Sequence, residues 1–196
     1  MQPMITGIIL AGGRSTRMGG EDKGLLQLSG KLLYQHVADK LAPQVKHLLI
    51  NTNRNISCYE KSGIPVFSDI TDDFSGPLAG MLAGLNIAAT EWCIFVPCDV
   101  PDIPSNMVEK LWQGRNNTLA AYVNDGERDH PTLVLLHKSL ITTLENYLAN
   151  GERKLMVLLQ NIHAQRVIFN ESAEMFCNLN TPEDCALWEE RNTERQ

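Results

Sequence analysis

The chain has 196 residues, 43% of them hydrophobic and 20% charged, with a formal net charge of -6. That is the size of one domain with enough apolar content for a core, which excludes an intrinsically disordered chain. The acidic balance excludes general nucleic-acid binding, which needs basic surface to displace phosphate counterions. It leaves room for one small anionic ligand held by a few local cations.

In chain order, Ile5–Leu10 is a short apolar run ended by glycines and is predicted as a buried strand. Residues 11–24 are rich in glycine and polar residues and read as a loop. Leu33, Val37 and Leu41 put one apolar face on a helix over Leu32–Leu41. His47–Ile50 and Pro65–Phe67 are strand candidates, Leu78–Ala89 is a helix, and Trp92–Val96 is a buried strand stopped by Pro97. Ser105–Trp112 reads as a helix. Leu119–Val123 and Thr132–Leu136 flank an Asp125-Gly126 turn as paired strands. Helices follow over Ser139–Leu148 and Arg153–Leu159, then a strand over Gln165–Phe169. Thr181 can cap a last helix, with Pro182 at its first position and Asp184 completing the cap.

Strands alternating with helices imply parallel βαβ units. We therefore expect one domain, residues 1–196, with an α/β fold: a three-layer α/β/α sandwich, Rossmann-like, around a mainly parallel, partly mixed sheet. The five cysteines form no C-x-x-C pair and no zinc-spaced cluster, so buried free thiols in a reducing cytoplasm are expected. The N-terminal apolar run is too short for a signal peptide, and no stretch approaches the ~20 apolar residues of a membrane helix. Trp92, Trp112 and Trp188 sit in apolar or helical contexts and read as core.

The most informative segment is Leu10-Ala11-Gly12-Gly13-Arg14-Ser15-Thr16-Arg17-Met18-Gly19-Gly20-Glu21-Asp22-Lys23, directly after the first strand. Ligands of open α/β sheets bind beyond the carboxyl ends of strands. Glycines there let backbone N–H groups approach phosphate oxygens, and Arg14, Arg17 and Lys23 supply positive charge. Neither the P-loop pattern nor the dinucleotide fingerprint is present.

Asp99 stands where a buried strand runs out. Position alone allows a Mg²⁺ ligand, a helix cap or a solvated loop acid. Asn51 and Asp69 occupy similar strand ends and suit a base edge, a ribose hydroxyl or a turn. Gly80 and Gly84 share one helix face, either for an anion near the helix start or for close packing. Arg128, Asp129 and His130 follow a turn and line a pocket or the surface. Asn178 and Asn180 share a strand face by their spacing of two, or bond the backbone before the last helix.

The loop L-A-G-G-x-x-x-R-M-G-x-x-K resembles the signature of nucleotidyltransferases with the nucleotide-diphosphosugar transferase fold. Its form R-M-G-G-x-D-K-G-L is similar to that of the molybdenum cofactor guanylyltransferases. The likeness continues through Asn51-Thr52-Asn53-Arg54, Gly76-Pro77-Leu78-Ala79-Gly80, Pro97-Cys98-Asp99, the segment from Asp125 to Thr132, and the segment from Asn178 to Glu183. Leu32 departs from the family, which usually has Pro there.

The resemblance implies transfer of GMP from GTP to the terminal phosphate of molybdopterin, with Mg²⁺ as cofactor and pyrophosphate as leaving group. It assigns GTP to Leu10, Ala11, Gly12, Gly13, Lys23, Asn51, Asp69 and Asp99. It assigns the pterin to Gly20, Gly80, Arg128, Asp129, His130, Asn178 and Asn180. Arg17, Lys23 and Asp99 are the expected catalytic residues, with Asp99 on the metal. Further partners would be proteins of cofactor biosynthesis or molybdoenzyme maturation. Cytidyl transfer to the same cofactor, sugar-phosphate nucleotidyl transfer and a non-catalytic nucleotide sensor are the alternatives. Arg17, Lys23 and Asp99 together speak against the sensor.

Overall fold

The computed structural model describes residues 1–12, 20–71 and 76–195. Gly13, Arg14 and Arg17, named above, lie outside the described residues. The chain opens with β1 (Ile5–Leu10), and Lys23–Leu25 form a single 3₁₀ turn. A small hairpin follows, β2 (Gln27–Leu28) and β3 (Lys31–Leu32), and then α1 (Leu33–Leu41) and β4 (His47–Asn51). Next come α2 (Ile56–Glu60), β5 (Val66–Phe67), α3 (Pro77–Ile87), β6 (Trp92–Pro97) and α4 (Met107–Gly114). The remainder is β7 (Ala120–Asn124), β8 (Asp129–His137), α5 (Ile141–Ala149), α6 (Leu155–Asn161), β9 (Gln165–Ile168) and α7 (Pro182–Thr193).

Seven strands form one sheet in the order β5-β4-β1-β6-β8-β7-β9. β5, β4, β1 and β6 are mutually parallel, β8 runs against its neighbours β6 and β7, and β9 is parallel to β7. After β1 the chain winds to one side through β4 and β5, then crosses back to place β6 on the other flank of β1. The strand order therefore reverses beside β1, and in open α/β sheets such a switch point is where ligands bind, beyond the carboxyl ends of the strands.

The central strands are buried on both faces, so they read as continuous apolar runs. In β6, Trp92, Ile94 and Val96 join Val37 and Leu41 of α1 and Met107, Val108 and Leu111 of α4. Cys93 and Phe95 point the other way, to Leu78, Met81, Leu82 and Leu85 of α3 and to Leu144 and Leu148 of α5. This gives the expected three layers. α7 docks apart from both clusters, packing Trp188 against Leu28, Leu33 and Leu179.

Several local expectations need correction. α4, α5 and α6 each begin two residues later than the sequence patterns suggest, and a 3₁₀ turn, Lys138–Leu140, precedes α5. The sequence patterns do not predict the β2–β3 hairpin or the short α2. The hairpin is tied by Ser29 and Gly30, both with positive φ, as a two-residue hairpin turn requires. Leu32 offers no capping oxygen, and the start of α1 is closed instead by Gln35, whose Oε1 accepts from the Leu32 amide at 3.1 Å. Asn178 and Asn180 are not in a strand: the Leu179 amide donates to the Asp99 carbonyl at 2.9 Å rather than to a ladder. Of the five free thiols only Cys93 and Cys98 are buried, and Cys177 is exposed. Among the described residues, no helix is long and apolar enough to cross a membrane.

Candidate active site

The β1 register pairs Leu10 with Asn51 on one side and with Pro97 on the other. Two backbone bonds carry the pairing past the strand ends. The Ala11 amide donates to the Asn51 carbonyl at 2.8 Å, and the Cys98 amide donates to the Leu10 carbonyl at 3.0 Å. Asn51, the start of the glycine loop and Asp99 therefore share one edge of the sheet, the carboxyl edge at the switch point. Asp69 follows β5 at the same edge.

Asp99 is 6% exposed. Its Oδ1 accepts from Asn178 Nδ2 at 2.9 Å, and its Oδ2 faces the Lys23 ammonium at 3.4 Å. The same ammonium donates to Asn180 Oδ1 at 2.8 Å. Four of the sequence candidates thus meet in one constellation. Its last two members are placed by the cap of α7. Asp184 Oδ2 accepts from the amides of Asn180 and Thr181, and Thr181 Oγ1 accepts from the Asp184 amide. That cap fixes the backbone at Asn180. Leu179, buried between the two asparagines, turns both of them toward Asp99 and Lys23.

A second cluster lies on the β4 side. Both oxygens of Asp69 accept amide protons, from Asn51 Nδ2 at 3.0 Å and Asn53 Nδ2 at 2.9 Å. The Asp69 amide donates back to Asn53 Oδ1 at 2.9 Å. Gly12 lies beside both asparagines, and Gly80 lies against Asn51 so closely that a Cβ there would overlap Asn51 Oδ1. Gly84 similarly admits Ile8 and Phe95, whose nearest atoms would lie 2.5 and 2.8 Å from an added Cβ. The close-packing role left open for these two glycines is therefore present at both.

The third group is more scattered. His130 Nε2 meets Asp125 Oδ2 at 2.7 Å, and its ring lies 5.7 Å from that of Phe176, two residues before Asn178. Burial opposes the charge on Asp125, but hydrogen bonds from His130 and from the Arg128 and Glu127 amides outweigh it and hold the carboxyl at about 2. Asp129 is engaged by Arg166 through two bonds of 2.8 and 2.9 Å. Arg128 and Gly20 are exposed. Trp92 and Trp188 are buried, and Trp112 meets Trp92 edge-on beneath the Arg115 guanidinium, 3.6 Å from its ring centroid.

Sequence reasoning missed the support beneath Lys23. Asp22 is 7% exposed and gathers donors from the segment after β4. The sequence itself offers only an acid next to a candidate cation; its burial comes from the tertiary structure. Beside it, burial above all pushes the Cys98 thiol well above its ordinary range, with the charges of Asp99 and Asp22 adding to the shift. Cys98 therefore stays a neutral core residue.

A lysine and a buried carboxylate that face each other beyond the strand ends at the switch point fit a nucleotidyltransferase of the Rossmann-like α/β class. Residues 7–167 match the family model described as the MobA-like NTP transferase domain. A molybdenum cofactor guanylyltransferase of Yersinia pseudotuberculosis is 61% identical over 97% of this chain and 98% of its own length. One from Yersinia pestis is 60% identical over the same shares. The chain belongs to the MobA-like NTP transferase domain family, among its molybdenum cofactor guanylyltransferases. Its fold is shared by the crystal structure of molybdopterin-guanine dinucleotide biosynthesis protein A from Archaeoglobus fulgidus, at TM-score 0.77 and 22% identity over 96% and 99% of the two chains. It is shared too by CMP:2-keto-3-deoxy-manno-octonic acid synthetase complexed with CTP, at TM-score 0.78 and 16% identity over 98% and 100%.

Proposed function

We infer that this chain transfers GMP from GTP to the terminal phosphate of molybdopterin, or of the metal-loaded cofactor. Pyrophosphate is released and a guanine dinucleotide form of the cofactor is made. The observation that carries the reading is the Lys23–Asp99–Asn178–Asn180 constellation at the switch point of a chain so similar to guanylyltransferases.

A phosphate oxygen of the pterin attacks the α-phosphorus of GTP, and the bond from that phosphorus to the bridging oxygen of the β-phosphate breaks. The attacking phosphate is already an anion near neutral pH, so no strong general base is needed. Catalysis then rests on positioning and on offsetting charge. Lys23 is suited to the phosphates and the departing pyrophosphate, with Arg17 and Gly13 of the loop expected beside it. Leu10, Ala11 and Gly12 lead the backbone toward the same phosphates. Asn51 and Asp69 are assigned to the base or ribose, and Asn178 and Asn180 to the pterin side, with Gly20, Gly80, Arg128, Asp129 and His130 as further candidates there.

The residues fit Mg²⁺. Among the described residues, no group of three or more His, Cys, Asp or Glu gathers as an all-protein cage. Mg²⁺ typically takes one or two carboxylates and completes its shell with substrate phosphates and water, and Asp99 is such a carboxylate. When bound, the ion supplies charge neutralisation at the phosphates. We assign the reaction to the cytosol, since all five thiols are free and such thiols persist in a reducing compartment.

The test is pyrophosphate release with molybdopterin and Mg²⁺, with GTP and CTP compared side by side. A clear preference for GTP is expected, because buried acceptors left unpaired by the wrong base cost about 1–3 kcal/mol each. Equal turnover of CTP would reject the guanylyl assignment.

A further inference from the structure

We propose that Asp22 is a positioning residue for Lys23, joining the phosphate end of the site to the segment that carries the Asn51–Asn53–Asp69 cluster. The inference rests on the reading of Lys23 given above. Asp22 caps the 3₁₀ turn whose first residue is Lys23, its Oδ1 accepting from the Gly24 amide at 3.2 Å. Its other partners come from the segment that follows β4. Tyr59 donates its hydroxyl to Oδ1 at 2.5 Å, Asn55 donates Nδ2 to Oδ2 at 3.2 Å, and Arg54 Nε lies 3.8 Å from Oδ2. Arg54 also donates to the Gly20 and Glu21 carbonyls, at 3.3 and 3.5 Å. The end of the glycine loop is thereby fastened to the stretch that begins with Asn51, Thr52 and Asn53.

The packing agrees with a positioning role. Gly24 lies against the Tyr59 ring, with Cε1 and Cζ 3.2 Å from where a Cβ would stand. A buried carboxylate persists only when hydrogen-bonded and paired, and here its partners hold one turn in one place. A lysine is long and has many rotamers. Anchoring its backbone at Asp22 and its ammonium at Asn180 and Asp99 leaves the side chain stretched between two fixed ends.

The test uses the intact chain with Asp22→Asn, Tyr59→Phe, Lys23→Ala and the Asp22→Asn/Lys23→Ala double variant. Turnover is read as pyrophosphate release with GTP, Mg²⁺ and molybdopterin. Asp22→Asn should lower kcat by about 10- to 100-fold while KM for GTP moves less than about 3-fold. In the Lys23→Ala background it should add less than about 3-fold, because Asp22 acts through that lysine. A second readout needs no ligand: amine labelling of Lys23, followed by peptide mass analysis, should quicken in Asp22→Asn while that of Lys46 does not change. Normal kcat and unchanged Lys23 labelling in Asp22→Asn, or losses that multiply in the double variant, overturn the proposal. If Asp22→Asn fails to fold, Tyr59→Phe decides alone, a smaller kcat loss supporting the inference and a wild-type rate refuting it. Lys23→Ala at wild-type rate would instead reject the phosphate role of Lys23 on which the proposal depends.

Discussion

Replacing Asp99 by Asn keeps the shape of the side chain and removes its charge. Two effects on stability oppose each other. The lost ion pair spans 3.4 Å, with a lysine side chain 23% exposed and the carboxylate 9% exposed. At an effective dielectric of ~20 the gross attraction at that distance is about 5 kcal/mol. The desolvation of the buried carboxylate, several kcal/mol in the other direction, disappears with it. Lys23 keeps Asn180 as a partner, and the new amide oxygen can still accept from Asn178. The net loss should stay within about 1–2 kcal/mol, a fall in Tm of several degrees for a chain of this size. Turnover should respond far more. Removing the carboxylate assigned to Mg²⁺ takes ~3–4 kcal/mol from the transition state, which is about 100- to 1000-fold in rate at ~1.4 kcal/mol per decade. The assay is pyrophosphate release with molybdopterin over a Mg²⁺ titration, beside a thermal melt. Partial recovery at high Mg²⁺ is expected, since occupancy is weakened. Wild-type turnover at low Mg²⁺ refutes the reasoning, because another carboxylate would then hold the ion.

Gly80→Ala should raise KM for GTP and destabilise the fold by ~1–3 kcal/mol, since the added methyl collides with Asn51 Oδ1 and lies 3.0 Å from Leu10 Cδ2; unchanged melting and GTP titration would show that α3 simply moves aside. Asn180→Asp retains an acceptor for Lys23 but sets a second carboxylate on the same ammonium. Turnover and pterin binding should fall at least ~10-fold while GTP binding changes only a few-fold, and an equal collapse of GTP binding would make Asn180 structural. Asp125 titrates at about 2 in the fold against an ordinary 3.8, so its depressed value adds stability that is complete above 3.8 and lost as pH falls through 2. The stability gap between wild type and Asp125→Asn, followed by denaturant melts, should therefore close across that window; a gap constant down to pH 2 would contradict the bonding described.

The layered fold and much of the candidate site were legible in the amino-acid order, because the signals involved are local. Apolar runs of strand length, the 3.6-residue stripe of α1, and the Thr181-Pro182-Glu183-Asp184 cap depend on neighbours a few residues away. The glycine loop after β1 and the carboxylate after β6 mark strand ends, and the carboxyl edge of such a sheet holds the ligand. The spacing of Asn178 and Asn180 predicts strand neighbours. The shared face is real, but capping of α7 and the bond from the Leu179 amide to Asp99 create it.

What the tertiary structure alone decided is who meets whom. Lys23 and Asp99 are 76 residues apart in the chain, and Asp99 and Asn178 are 79 apart. Only the crossover that sets β6 beside β1, and the return of the chain between β9 and α7, bring them together. Local propensity carries no record of such pairings, since each is the by-product of burying apolar faces on both sides of one sheet. The same holds for Asp22. Its sequence context is that of a loop acid, and its buried place among Arg54, Asn55 and Tyr59 arises because the segment from the end of β4 into α2 packs against Asp22.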